Sequence, residues 1–356
     1  GDDTREWGPP FVGPEGEQES TYFLSINRNK RSIVLDFGDD ADRAVLDRLI
    51  EWADVLVENF RPGVMDRLGL TLDALERLNP RLVTLTITGF GTSGPDRDRV
   101  AYDQILQAEG GVMSVTGEAP GRALRVGVPV ADLTAGMFGS IGVLAGLRER
   151  DRSGRGQRVE TSLLAGQIAI HCFQGARYLV AGEVPEQSGN HHPTVAPYGA
   201  FSAADGQIVL AVGNEPTWER FARLLGLPAE APEFAGNRNR VAHRDELTAL
   251  IDQRLAECSV AEWMELFAAH GVPAGEVKSL DRVYASEQVH EQGLVVEMVH
   301  STLGPIALPG TPLRFSASSL PQATPPPTLG EQSSEIREQF SPDVPSLSDS
   351  PLGGQS

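Results

Sequence analysis

The 356-residue sequence has little that would tie it to a redox centre, a membrane or a nucleic acid. Cysteine is nearly absent. Cys172 and Cys258 lie far apart in apolar or helical contexts with no metal or redox spacing, so a reducing cytoplasm is expected. No apolar run approaches twenty residues, which argues against a membrane span. Positive charge is short: 30 lysines and arginines face 49 aspartates and glutamates, a net charge of −19. A diffuse acidic excess disfavours nucleic acid and anionic membranes as partners, because both need concentrated basic surface. An anionic substrate in a local basic pocket stays possible. Histidine is missing before His171, which removes the commonest general base from the first part of the chain. There is no G-x-S-x-G, no zinc spacing and no P-loop, and no signal peptide is visible, although the chain opens at Gly1 without a methionine.

With 40% hydrophobic and 22% charged residues, the chain reads as soluble and globular, long enough for two domains. It is organised around Arg125 to Arg150, RVGVPVADLTAGMFGSIGVLAGLRER. Val126, Val128 and Val130 alternate as in a short strand, and Leu133, Met137, Ile141 and Leu144 then recur at helical spacing. Asp132 sits at the joint. It suits an N-cap, and the same place at the positive end of a helix suits a nucleophilic carboxylate; the two readings are compatible. Gly136, Gly139, Gly142 and Gly146 each cost about 1 kcal/mol relative to Ala inside a helix. Such a glycine face predicts another backbone packed close against it.

Before this stretch the pattern alternates strand and helix. Gly1 to Ser20 reads as loop, Ser32 to Phe37 as a strand, Ala41 to Trp52 as a helix and Val55 to Val57 as a strand; Leu72 to Leu78 and Leu82 to Thr88 repeat the rhythm. Gly89, Gly91 and Gly94 spell G-x-G-x-x-G, yet Pro95 and DRDR follow where a dinucleotide fingerprint needs an apolar helix. After it, Val159 to Ser162 reads as a strand and Leu163 to Ala181 as one long helix. Residues 1–181 thus form the first part of a large domain and 182–197 a linker. Residues 198–291 form a small α+β domain with a hairpin about Asp205-Gly206 and helices at Trp218 to Leu225, Arg244 to Cys258 and Val260 to His270. Residues 292–330 return to the large domain, with strands over Leu294 to Pro312, and 331–356 form a disordered tail.

Asn27, Arg28, Lys30 and Arg31 make the densest basic cluster of the first half, and Arg61 and Arg67 flank a Pro-Gly turn. Either group is a solvated face or a phosphate site. Gly189, Asn190, His191 and His192 lie on the linker; adjacent histidines point to different sides, which makes joint metal ligation poor, and no metal site is expected.

The run GVPVADLTAGMFGSIGVLAGL, with SINRNKRSIVLDF, VENFRPGVMDRLG, SGRGQRVETSLL and GNHHPTVAPYGAF in order around it, resembles the family III CoA-transferases from Gly1 to about Gly330. The resemblance implies an α/β fold with a Rossmann-like large domain and a smaller α+β domain, assembled as an interlocked homodimer. It implies a CoA thioester as substrate, a carboxylic acid as its partner and no permanently bound cofactor. Asp132 falls on the family's nucleophile, Asn27 and Lys30 fall near the CoA nucleotide, and Asn59, Phe60 and Arg67 fall on CoA contacts. Tyr102 and Asp103 match positions beside the nucleophile. Formyl-CoA transferase carries Tyr-Glu there with a nearby lysine, whereas this chain has Asp103 and Val100, which turns the expectation away from formyl and oxalyl substrates. Gly189, Asn190 and His192 belong to a loop that approaches the nucleophile, and GN-x-HP is common in members using succinyl-CoA; His192 is the expected carboxylate or thioester contact. Oxyanion donors are expected from that loop or from the start of the Asp132 helix. The family's opening strand, helix and strand are expected to be missing. The 2-methylacyl-CoA racemases, which share the fold, and a non-catalytic CoA-binding scaffold are the alternatives; the absence of an early histidine counts against the racemase.

Overall fold

The computed structural model describes residues 1–341, and the end of the expected tail, 342–356, lies outside the described residues. The chain opens with a 3-10 turn and a short antiparallel pair, β1 (Phe11–Val12) and β2 (Glu19–Ser20), leading into α1 (Thr21–Ile26). The Ser20 side chain caps α1 by accepting the Tyr22 and Phe23 amides. Then follow α2 (Asp40–Trp52), β3 (Val55–Glu58), α3 (Val64–Arg67), α4 (Leu72–Leu78), β4 (Val83–Thr88), α5 (Asp103–Glu109), α6 (Val130–Ser153) and β5 (Arg158–Ser162).

These strands form a parallel sheet in the order β3-β4-β5, with Val55 opposite Val83 and Thr84 opposite Arg158. The central strand β4 is covered on both faces, as a parallel sheet requires. Val83 and Leu85 meet α6, while Leu82 packs with Ile50, Leu70 and Leu75 of the α2 and α4 side. Position 146 of α6 lies over Val83 and position 139 over Leu85 and Ile87. The helix therefore runs antiparallel to the strands, and its first turn stands at their carboxyl ends, the rim where open α/β sheets bind ligands.

The long helix expected over Leu163 to Ala181 is two helices, α7 (Leu163–Ala169) and α8 (Cys172–Ala181). The chain breaks at His171, whose ring makes a 2.6 Å contact with the Gly110 carbonyl, and Cys172 takes a left-handed φ of 47°. Beyond the linker, β6 (Tyr198–Ser202), β7 (Gln207–Ala211), α9 (Glu215–Leu225), α10 (Asn237–Ala242), α11 (Arg244–Leu255), α12 (Val260–Ala269) and β8 (Ala274–Glu276) enclose the largest hydrophobic cluster, centred on Phe201, Phe221, Ile251 and Phe267. The turn at Asp205-Gly206 forms, and the Asp205 carboxylate accepts the Val260 amide at 2.7 Å. Short helices α13 (Leu280–Tyr284) and α14 (Glu287–Glu291) precede the hairpin β9 (Val295–His300) and β10 (Gly304–Pro309).

Four further local expectations need correction. Ser32 to Phe37 is not a ladder strand, because its polar groups are taken by the C-terminal segment: Ser32 N–H donates to the Gln332 side chain and Val34 N–H to the Ser333 hydroxyl. The tail expected to be disordered from 331 contains α15 (Ser333–Gln339), where Ile336 and Phe340 pack on Val45 and Arg337 pairs with Asp42. Finally, α6 has a mean hydropathy of 1.5 over an 18-residue window, long and apolar enough to cross a membrane by length and composition, although no such run is evident by eye. Its glycines are explained by the sheet. A Cβ at Gly139 would stand 2.8 Å from Leu85 and one at Gly142 2.6 Å from Val159, so strand side chains, rather than a second backbone, fill that face.

Candidate active site

Val126 to Val130 forms no strand, and Asp132 is the third residue of α6 rather than its cap. The N-cap position is Pro129, whose side chain accepts nothing. A carboxylate from elsewhere supplies the cap: Asp103, opening α5, accepts the Ala131 amide at 2.8 Å and the Asp132 amide at 3.4 Å. The Asp132 side chain is thus left for other work. It reaches solvent, but protein crowds it on one side; this desolvation, with the Asp103 charge adding to it, pushes its pKa up to about 6.

Tyr22 on α1 completes this group. Burial, then the charges of Asp132 and Asp103, push its phenol above the ordinary tyrosine range, so it stays a neutral hydroxyl within electrostatic reach of two carboxylates. Tyr22 belongs to none of the motifs named above, although it lies only five residues before Asn27 in TYFLSINRNK. Five residues of helix span about 7.5 Å, so α1 links the Asp132 group to the Asn27–Lys30 segment. There Asn27 is buried and donates to the Phe23 carbonyl, while Lys30 Nζ donates to Asn27 Oδ1 at 2.8 Å.

Phe60 and the Arg61-Pro62-Gly63 turn line a cavity of about 570 Å³ beside β3 and β4, with Arg97 and Arg158 on its other wall. Glu58 orders this turn by accepting the Phe60 amide, and Gly63, at φ 77°, opens α3. Arg67 reaches back across the turn, 3.5 Å from where a Gly63 Cβ would lie. Asn59 precedes the turn on exposed coil. Asp132, Asp103 and Tyr102 do not line this cavity. Tyr102 stands at the N-cap of α5, largely exposed, beside the Asp103 that caps α6.

The linker is held in place around Gly189. That residue, at φ 59°, donates to the Gly117 carbonyl, and the His192 amide donates to the Tyr198 carbonyl. The His192 ring is stacked between Phe173 of α8 and Tyr198, with centroids 5.4 and 5.2 Å away, and Arg244 clamps the His192 and Pro193 carbonyls. Asn190 follows Gly189 on the exposed side of the loop. His191 turns inward against Phe201, where burial and then the Arg244 charge lower its pKa. The adjacent histidines thus diverge. Among the described residues no three His, Cys, Asp or Glu side chains gather as metal ligands would.

Of the two places expected to supply oxyanion donors, the loop at Gly189 and the start of the Asp132 helix, the helix start does not. The first amides of α6 are engaged, Val130 with Val128 O, Ala131 and Asp132 with Asp103, and Leu133 with Pro129 O, so none is free to hold a developing oxyanion.

Comparison with known proteins identifies the family of the chain. The CoA-transferase family III profile matches residues 1–333. Succinyl-CoA:glutarate CoA-transferase of Mus musculus is 38% identical over 341 residues, covering 95% of this chain and 77% of that protein. Succinate–glutarate CoA-transferase of Agrobacterium fabrum is 38% identical over 342 residues, covering 94% and 85%. The crystal structure of a CAIB/BAIF family protein from Brucella suis superposes with a TM-score of 0.86 at 36% identity, over 96% of this chain and 89% of that one. The α/β chain built around the Asp132 helix belongs to CoA-transferase family III and is a CoA-transferase.

Proposed function

We propose that the enzyme moves CoA from succinyl-CoA to a second dicarboxylic acid through covalent intermediates on Asp132. The observation that carries this reading is a solvent-reaching carboxyl in the first turn of α6, relieved of any capping duty by Asp103. Its raised pKa leaves it ionised at neutral pH yet more basic than an ordinary carboxylate. The Asp132 carboxylate attacks the thioester carbonyl and expels CoA thiolate, forming a mixed anhydride. The thiolate then attacks the Asp132 carbonyl, releasing the donor acid and leaving an aspartyl-CoA thioester. The acceptor carboxylate repeats the sequence in reverse. Covalent relay suits the exchange, because each step meets an activated acyl group. The neutral Tyr22 hydroxyl is placed to donate to carboxylate or carbonyl oxygens as they pass.

The CoA nucleotide is assigned to the Asn27–Lys30 segment and to Asn59, Phe60 and Arg67; of these Phe60 lines the cavity, where Arg61, Arg97 and Arg158 stand among Glu58, Asp66, Asp73 and Asp98. Gly189, Asn190 and His192 are assigned to the acid substrate. Dicarboxylate preference is supported by the names of the two relatives and by Asp103 standing where formyl-type enzymes carry Glu. The reading includes a homodimer and a cytoplasmic location for the two free thiols, Cys172 and Cys258.

The test is a panel of acyl-CoAs against mono- and dicarboxylic acids, followed by hydroxylamine trapping and peptide mapping of the modified residue. Asp132 carries the adduct in wild type, and Asp132→Asn, which cannot form anhydride or thioester, folds but loses kcat by about 10⁴-fold or more. Retained turnover in that variant would end the mechanism.

A further inference from the structure

The reading of Asp132 as nucleophile leaves a buried polar group unused. Gln107, one turn along α5 from Asp103, is completely buried. Its Nε2 donates to Asp103 Oδ2 at 2.7 Å and to the Val128 carbonyl at 3.3 Å, and its Oε1 accepts the Val126 amide at 2.8 Å. The other oxygen of Asp103 takes the Ala131 and Asp132 amides. Two side chains four residues apart on α5 therefore hold Val126, Val128, Ala131 and Asp132, the whole irregular approach to the nucleophile. Val126 to Pro129 has no ladder of its own, so this pair does for it what strand pairing would do.

We propose that Asp103 and Gln107 are positioning residues for Asp132: a carboxylate strut and its buried brace, which fix the backbone carrying the nucleophile and keep a second negative charge beside it. This rests on the assignment of Asp132 above. The donor and acceptor pattern explains the residue types. Every group hydrogen-bonded to the Asp103 carboxyl is a donor, so the position calls for an acceptor-only side chain, which is a carboxylate. Gln107 cannot turn over, because its oxygen faces an N–H and its nitrogen faces two acceptors. An asparagine at 103 would set its NH₂ against either the Gln107 NH₂ or the helix amides. The strut also works at a distance. The titratable groups coupled to Asp132 are Asp103 from α5 and the Tyr22 phenol from α1, and after burial it is the Asp103 carboxylate that raises the Asp132 pKa. A like charge held there makes Asp132 a stronger base, hence a stronger nucleophile once ionised.

The test measures proton affinity without turnover. Protein labelled with carboxyl-¹³C aspartate is titrated by NMR, and the Asp132 signal is the one lost in Asp132→Asn. In Asp103→Asn the Asp132 midpoint moves down by about half a pH unit or more. The acid limb of kcat moves the same way, and kcat falls about tenfold with KM for acyl-CoA within about twofold. Asp103→Ser keeps a hydroxyl acceptor for the Ala131 amide and removes the charge, so it serves if the asparagine variant fails to fold. In Gln107→Leu the charge stays; kcat falls about tenfold while the midpoint holds. A role in stability alone predicts a lower Tm with midpoint and acid limb unmoved, and that result in a folded Asp103 variant overturns the proposal. The two readings separate cleanly: no adduct on Asp132 with a shifted midpoint defeats the nucleophile, while an adduct on Asp132 with an unshifted midpoint defeats the strut.

Discussion

At the scale of single residues, the raised proton affinity of Asp132 makes the site a local source of instability at neutral pH. Its carboxyl titrates near 3.8 in an unfolded chain and about 6 in the folded one. Below pH 4 the group is protonated in both states and folding does not sense it. Between those values the native state holds the proton more tightly, and above about pH 6 the native state must carry an anion it disfavours. Stability contributed by the neutral form is therefore lost as pH rises through 6. Solvent access to the side chain screens the penalty, which keeps it below about 1 kcal/mol. Asp132→Asn removes the charge and loses no cap, since Asp103 makes the cap. Its Tm is expected to exceed that of wild type by roughly 1–2 °C at pH 7.5, with the gap closing by pH 4. Calorimetry at the two pH values checks this; a gap that is independent of pH would show that Asp132 is not strained by its own charge.

At the scale of elements, α6 shows how a helix rich in glycine is held by its packing. Gly139, Gly142 and Gly146 receive Leu85, Val159 and Val83, whereas nothing lies within 4 Å of a Cβ built at Gly136. The two kinds of glycine should respond oppositely to alanine. Gly136→Ala gains helix propensity and is expected to stabilise by about 0.5–1 kcal/mol. Gly142→Ala puts a methyl 2.6 Å from Val159 Cγ1 and is expected to destabilise by about 1–3 kcal/mol. Urea denaturation of both variants decides it, and equal signs would refute the packing account. This helix also marks what was legible in the sequence. Periodicity over Leu133 to Leu144 found the helix, and the family motif drew attention to Asp132. The alternating valines misled because the backbone partner of Val126 and Val128 is the Gln107 side chain of α5, a contact that no local pattern encodes. Ser32 to Phe37 misled in the same way, since its partners arrive from Gln332 and Ser333, 300 residues later. Tyr22 was missed because its role arises from tertiary proximity to two carboxylates. Helices with strong local signals, such as Leu72–Leu78, were read to the residue.

At the scale of the whole molecule, the remaining question is what covers the other face of α6. Ile141 and Leu144 are 62% and 66% exposed, and on α8 Leu179 and Val180 are 82% and 86% exposed. Apolar surface of this extent on two helices marks an interaction site. A bilayer is a poor occupant, because α6 cannot leave for lipid without stripping Val83, Leu85 and Val159 of their cover and baring the central sheet. A second copy of the chain, as proposed, would bury both faces, and the exposed stripe on α6 runs from Leu144 and Ile141 back through Met137 to Leu133, beside Asp132. Obligate dimers of this kind bury on the order of 2,000 Å² or more, with apolar residues at the centre. Sedimentation of the wild-type protein is therefore expected to give twice the chain mass down to micromolar concentration. The pair Ile141→Asp and Leu179→Asp places desolvated charges in that centre and is expected to weaken association by 10³-fold or more, about 4 kcal/mol. Transferase activity should fall with the dimer population, since the exposed apolar stripe of α6 continues through Met137 and Leu133 to Asp132. A wild-type chain that is monomeric and fully active at micromolar concentration would refute the dimer and leave the apolar face to another partner.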